Sequence, residues 1–203
     1  MIGYGKINLQ EMSEMAGDDK VQAVISDFCC PMNSDVETFL REKAIEFSRQ
    51  GISSTHIVTA SYRGKPVVVG YFTLALKFFH IGLRQGGISN TLRKRIRKFS
   101  SYNDSIKRDI VSAPLIAQLG KNYANGYNRL ITGDELLKLA CDTVADAQRI
   151  LGGRFVYLEC EDTTRLVEFY ESNGFYNFGQ RALDADETGM KGKYLVQMLK
   201  YLR

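Results

Sequence analysis

The sequence predicts a mixed α/β fold, a sheet flanked by helices within one domain, and three observations predict it. Short runs rich in β-branched and aromatic residues are interspersed with amphipathic helical stripes. Their order is strand, helix, hairpin, strand, glycine-containing loop, helix, strand, helix and two strands, not the strict alternation of a doubly wound fold. The composition, 44% hydrophobic and 25% charged with 11 Tyr and 11 Phe, is that of a packed chain and excludes disorder. At 203 residues one sizeable core is the default, and no repeat or interdomain linker breaks the chain.

Residues 1–22 mix Gly3, Gly5, Gly17, Asp18 and Asp19 with short apolar pieces and are set apart as an N-terminal extension to a domain spanning 23–203. QAVISDFCC reads as a strand broken by Pro31, and Ser34 with Glu37 has the spacing of a capping box that starts a helix. Val36, Phe39, Leu40, Ala44 and Phe47 fill one face of that helix, and Gly51 ends it. THIVTASY and VVVGYFTLALKFFHI, joined through Arg63-Gly64-Lys65-Pro66, have the pattern of an antiparallel hairpin. From about 82 to 110 the chain is polar and basic, an insertion with a short helix TLRKRIRKF, and SAPLIAQLG resumes strand character. A long helix follows with Leu136, Leu137, Ala140, Val144, Ala147 and Leu151 on one stripe, closed by Gly152 and Gly153. RFVYLECE is a strand, Asp162 or Thr163 caps the next helix, and Gly174 stops it. Two strands, FYNFGQRAL and KYLVQMLKYL, flank a loop holding Asp184, Asp186, Glu187, Gly189 and Gly192.

Several chemistries are disfavoured by what the chain lacks. Cys29, Cys30, Cys141 and Cys160 form neither CxxC pairs nor a disulfide framework, so a reduced, cytoplasmic chain is expected. No apolar run approaches the roughly 20 residues of a membrane span, and no membrane partner is expected. His56 and His80 belong to no ligand cluster and read as strand residues, so no metal is expected. Gly120-Lys121 completes no phosphate-binding GxxxxGK[ST] loop, and Gly3-Tyr4-Gly5 completes no GxGxxG.

Two stretches point toward a particular chemistry. FYESNGF, Phe169 to Phe175, puts Tyr170 in the last turn of an amphipathic helix; on its own, Leu166, Phe169 and Tyr170 describe an ordinary core-facing stripe. NRLITGDELL, Asn128 to Leu137, runs from a strand into a helix N-terminus through Gly133, where backbone N–H groups suit a phosphate. Thr132 and Glu135 are also spaced as a capping box, which satisfies such a terminus without any ligand.

Together with the element order, these stretches resemble the GNAT acetyltransferase superfamily, most firmly from Ala113 to about Leu199. The resemblance implies a mixed, mostly antiparallel sheet with splayed middle strands, and acetyl-CoA as acetyl donor. FYESNGF is similar to the family's FYxxxGF signature, in which the tyrosine acts as general acid to the departing thiolate, and this makes Tyr170 the catalytic candidate. NRLITGDELL sits where the family has Q/R-x-x-G-x-G/A. Asn128 takes the Q/R position, Ile131 the first glycine position, and Gly133 keeps its glycine. The implied cofactor-binding residues are Asn128, Arg129, Leu130, Ile131, Thr132 and Gly133 for the pyrophosphate. For the pantetheine arm and the thioester carbonyl they are the main-chain groups of Leu119, Gly120 and Lys121.

Glu159 and Glu161 are candidate general bases by position, and Cys160 reads as a buried thiol rather than a nucleophile. Six basic residues, Arg84, Arg93, Lys94, Arg95, Arg97 and Lys98, occur without an intervening acid in a chain of net charge +4. Leu92, Ile96 and Phe99 give this segment a docking stripe, so a solvated helix face ranks ahead of phosphate contact. The expected function is acetyl transfer by direct attack of an amine, on a small molecule, a peptide or aminoacyl-tRNA. A toxin-like aminoacyl-tRNA acetyltransferase and a silent acyl-CoA or RNA-binding module are the alternatives, and a homodimer is left open.

Overall fold

The fold is described, from a computed structural model, for residues 3–82, 88–183 and 192–202. The described strands are β1 (Gly5–Asn8), β2 (Ser54–Tyr62), β3 (Lys65–Ile81), β4 (Ser100–Asn103), β5 (Arg108–Lys121), β6 (Phe155–Glu161), β7 (Tyr176–Ala182) and β8 (Tyr194–Tyr201). They form one sheet in the order β1-β2-β3-β5-β6-β8-β7, with β4 paired to β5. The pairs β1–β2, β2–β3, β4–β5, β6–β8 and β7–β8 are all antiparallel, the mostly antiparallel sheet expected. The β2–β3 hairpin turns through Arg63 (φ 51°) and Gly64 (φ 78°), the pair of positive φ angles that a two-residue hairpin turn demands.

The helices are α1 (Leu9–Ala16), α2 (Asp18–Ile25), α3 (Ser34–Thr38), α4 (Ala44–Arg49), α5 (Asn90–Arg97), α6 (Gly133–Leu151) and α7 (Thr164–Ser172), with a π-helical turn Phe39–Lys43 joining α3 to α4. None is long and apolar enough to cross a membrane.

The chain divides into two compact units. The first comprises Met1–Ala75 and Ile116–Thr143. Its core gathers Leu9, Val21, Ile25, Phe28, Phe39, Leu40, Ile57 and Tyr71. Here the segment read as a strand, QAVISDFCC, is instead helix α2 followed by a turn. Val21 and Ile25 are fully buried while Val24 is 44% exposed, so the β-branched residues follow a helical period and tertiary packing overrides their strand propensity. Residues 5–8 join the sheet through β1. The capping-box spacing of Ser34 and Glu37 is not used as such. Asn33 is the N-cap, accepting from the N–H groups of Asp35 (3.0 Å) and Val36 (3.3 Å), and Glu37 turns back to accept from the Cys30 N–H at 2.7 Å.

The second unit comprises Leu76–Leu115 and Val144–Arg203. Its core holds Phe79, Ile81, Ile96, Val111, Phe155, Tyr157 and Leu199. Helix α5 docks on that core through fully buried Ile96 and partly buried Leu92, as the stripe predicts. The region treated as insertion also contains β4, and β5 begins at Arg108, five residues before Ala113. At the far end of α6 the predicted stripe gives out after Val144, because Ala147 and Leu151 are exposed, Leu151 by 80%. Thr163 is the α7 N-cap by position, without a side-chain bond, while Asp162 accepts from Gln180 Nε2 at 2.8 Å. Gly152 (φ 82°) and Gly174 (φ 80°) end their helices in the left-handed region. The acidic loop at Asp184, Asp186, Glu187 and Gly189, and the basic Arg84, lie outside the described residues.

Candidate functional site

In the first unit the candidate donor-binding segment begins at the end of β5. Leu119 and Lys121 are half-buried and Gly120 is buried. A Cβ on Gly120 would sit 2.4 Å from Val36 Cγ1, so the first turn of α3 lies directly on the β5 backbone and glycine is required by packing. Gly120→Ala is therefore expected to cost about 1–3 kcal/mol, read as a lower denaturant midpoint. Burial lowers the Lys121 pKa, opposed by the charge of Glu135.

Asn122, which the sequence did not single out, fixes the turn beyond Lys121. Its Oδ1 accepts from the N–H groups of Cys29 (3.1 Å) and Ala124 (3.0 Å), its Nδ2 donates to the Val68 carbonyl at 2.9 Å, and its N–H donates to the Val69 carbonyl at 2.9 Å. A buried asparagine satisfied on both amide ends locks three chain segments together. A 3-10 turn, Ala124–Arg129, follows, with Asn125 (φ 52°) and Gly126 (φ 74°) in the left-handed region. Asn128 and Leu130 are half-buried, and Arg129 is exposed. Ile131 is 2% exposed: where the family has its first glycine, this chain anchors the loop in its core.

The capping box at the start of α6 is formed. The Thr132 N–H and Oγ1 donate to Glu135 Oε2 at 2.8 and 2.9 Å, and the Glu135 N–H donates to Thr132 Oγ1 at 3.1 Å. The hydrogen bonds from Thr132, backbone and then side chain, lower the Glu135 pKa, and Tyr4 adds to the effect. The helix N-terminus is thereby held in one geometry, with the Thr132 N–H satisfied by Glu135.

In the second unit, Tyr170 lies on the last turn of α7. No residue of α7 is fully buried, and Tyr170 is half-buried. Its ring meets Phe169 edge-on at 5.0 Å and Phe175 at 5.8 Å. The chain turns beneath it, the Phe175 N–H donating to the Tyr170 carbonyl at 3.0 Å and the Gly174 N–H to the Glu171 carbonyl at 2.9 Å. Burial, and secondarily the Cys160 charge, raise the phenol's pKa well above its ordinary value, so Tyr170 carries its proton throughout the physiological range.

Glu159 is no poised base. Its side chain is 8% exposed and pairs with Arg181, whose Nε and Nη2 reach it at 2.8 and 2.6 Å, and with Lys77 at 3.2 Å. Tyr157 donates to the same carboxylate, and Gln197 Nε2 donates to the Tyr157 hydroxyl at 2.7 Å. Burial alone raises the Glu159 pKa, but the bonds from Arg181 and Tyr157 and the two cationic charges bring it to about 2. A pKa depressed from about 4.3 means that this carboxylate's stabilisation is complete above the unfolded value and lost as pH falls from about 4 toward 2. Glu159→Ala leaves two cations facing a buried gap and is expected to destabilise the protein by about 3–5 kcal/mol, measurable by denaturant titration.

Glu161, the other candidate, lies at the end of β6 beside Cys160. Burial, then the charges of Asp162 and Glu161, push the Cys160 thiol up to about 12, which leaves it protonated and inert as a nucleophile. His56 and His80 both lie in strands, as the sequence indicates. His56 stacks on Phe72 at 5.0 Å, and burial, then the Lys6 charge, lower its pKa to about 4. No group of three or more His, Cys, Asp or Glu side chains suited to a metal occurs among the described residues.

Helix α5 carries Arg93, Lys94, Arg95 and Arg97, with Lys98 as its C-cap. Lys94, Arg97 and Lys98 are exposed, whereas the Arg95 guanidinium lies 4.6 Å over the Tyr201 ring.

No family model and no curated protein matches the chain in sequence. Solved structures do match in fold. A bacterial toxin aligns with TM-score 0.65 at 15% identity, covering 100% of this chain and 92% of its own. A tyrosine-to-phenylalanine mutant of KacT aligns with TM-score 0.61 at 17% identity, covering 96% and 93%. AtaT complexed with acetyl-methionyl-tRNAfMet aligns with TM-score 0.59 at 18% identity, covering 96% and 94%. The chain therefore shares its fold with the KacT and AtaT structures, the mixed, mostly antiparallel architecture that the resemblance implies.

Proposed function

We propose that the protein is an acetyl-CoA-dependent N-acetyltransferase and that its acceptor is the amino group of an aminoacyl-tRNA. The observation that supports the activity is Tyr170. It is a half-buried, firmly protonated phenol at the end of a helix with no fully buried residue, in a fold like that of AtaT, one structure of which holds acetyl-methionyl-tRNAfMet.

The first turn of α6, preset by the Thr132–Glu135 box, receives the donor's pyrophosphate through Gly133 and the loop Asn128–Thr132. The main-chain groups of Leu119, Gly120 and Lys121 receive the pantetheine arm, and an N–H there stabilises the oxyanion. The neutral amine attacks the thioester carbonyl, a C–N bond forms and the C–S bond breaks. The sulfur takes the Tyr170 proton, and the proton that the amine loses passes through solvent to restore the phenol. Glu159, held as an ion-paired carboxylate, has no part in this step.

The acceptor reading is supported by helix α5, whose exposed cations Lys94, Arg97 and Lys98 suit a polyphosphate backbone. Ile131, filling the first glycine position, favours a second reading, a module that binds acyl-CoA without turnover. Calorimetry with acetyl-CoA, followed by a CoA-release assay with aminoacyl-tRNA, separates the two. The proposed enzyme binds and turns over, the silent module binds only, and absence of heat and of any melting shift at saturating donor removes both.

A further inference from the structure

We infer that Tyr4, in the N-terminal segment, is a positioning residue for the donor-binding loop; this rests on the reading of 128–133 as the pyrophosphate site. The Tyr4 hydroxyl donates to the Leu130 carbonyl at 3.2 Å, 126 positions away in sequence. The Glu135 carboxylate, the acidic member of the capping box, lies near enough to act on the same hydroxyl electrostatically. One phenol thus ties the N-terminal segment to the loop that enters α6.

The placement of Tyr4 is built into the first unit on both sides. Strand β1 pairs with β2 from Gly5 opposite Thr59 to Asn8 opposite His56. A Cβ on Gly5 would sit 2.5 Å from Thr59 Oγ1, so the residue next to Tyr4 is pressed against β2. Lys6 Nζ donates to Thr143 Oγ1 at 2.7 Å, tying the same strand to α6 ten residues beyond Gly133. Burial first, then Glu135, raise the Tyr4 pKa to about 12, so the hydroxyl keeps the hydrogen it donates.

Holding the Leu130 carbonyl fixes the backbone just before Ile131 and the capped start of α6, so the loop that would meet the pyrophosphate is set in one geometry. The sequence offered no sign of this, because Tyr4 lies in an extension without periodicity.

The test compares two donors in the full chain. Tyr4→Phe keeps the ring and removes the hydroxyl. The Kd and KM for acetyl-CoA are expected to rise by about three- to tenfold, with kcat nearly unchanged. S-acetyl-pantetheine, which lacks the pyrophosphate, should bind wild type and Tyr4→Phe equally. A general structural defect would weaken both donors together and lower kcat. Equal acetyl-CoA affinity in wild type and Tyr4→Phe, or equal losses on both donors, overturns the role of Tyr4 while leaving the donor site standing. Failure of wild type to bind acetyl-CoA overturns the donor site and Tyr4 with it.

Discussion

Tyr170→Phe is expected to lower kcat by on the order of tenfold to thousandfold while the Kd for acetyl-CoA changes little. The substitution keeps the ring against Phe169 and Phe175, so packing at the α7 end is preserved. What it removes is the phenol's proton. Without that proton the thiolate departs as a free anion, and the barrier to C–S cleavage rises. Single-turnover measurement with saturating donor isolates this step from product release. Unchanged turnover in Tyr170→Phe would reduce Tyr170 to an apolar contact in a half-buried stripe, the reading that Leu166, Phe169 and Tyr170 support by spacing alone.

The second large effect is expected on helix α5. Lys94, Arg97 and Lys98 are the cations to replace, since each is exposed; Arg95 stacks on Tyr201, and Arg93 is half-buried with its Nε enclosed. Each phosphate contact contributes about tenfold to binding near 0.1 M salt, so the triple Gln variant should raise the KM for aminoacyl-tRNA by on the order of hundredfold if two of the three engage RNA. The salt dependence of binding should flatten by about one unit of slope per lost contact. Acetyl-CoA affinity and thermal stability should hold, because Ile96 and Leu92 dock the helix and are untouched. A variant with wild-type KM and wild-type salt slope would return α5 to a solvated face.

Much of this architecture was legible in the chain. The β2–β3 hairpin announced itself through two β-rich runs around Arg63-Gly64, and α7 through its stripe and the Gly174 stop, because local turn chemistry there agrees with the final fold. The Thr132–Glu135 spacing also gave the true α6 terminus. Helix α2 misled because Val21, Val24 and Ile25 carry strand propensity, whereas the core takes only Val21 and Ile25. Tyr4, Asn122 and the Arg181–Glu159–Lys77 cluster were invisible for a different reason. Each joins residues far apart in sequence, and hydrogen bonds of that kind leave no period and no motif. Glu159 shows the cost: its position on a strand suggested a base, and only its partners reveal a locked carboxylate.

The proposed activity is decided by acetyl transfer from radiolabelled acetyl-CoA to a panel of aminoacyl-tRNAs, deacylated tRNA, a polyamine and a lysine peptide. CoA release is followed in parallel, and the product is identified by mass spectrometry after nuclease digestion. N-acetyl-aminoacyl-adenosine is expected from at least one charged tRNA, with one CoA released per acetyl transferred, none from deacylated tRNA, and strong attenuation in Tyr170→Phe. Label appearing only on the polyamine or the peptide would contradict the acceptor, and no acetyl transfer or CoA release with any member of the panel would contradict the enzyme.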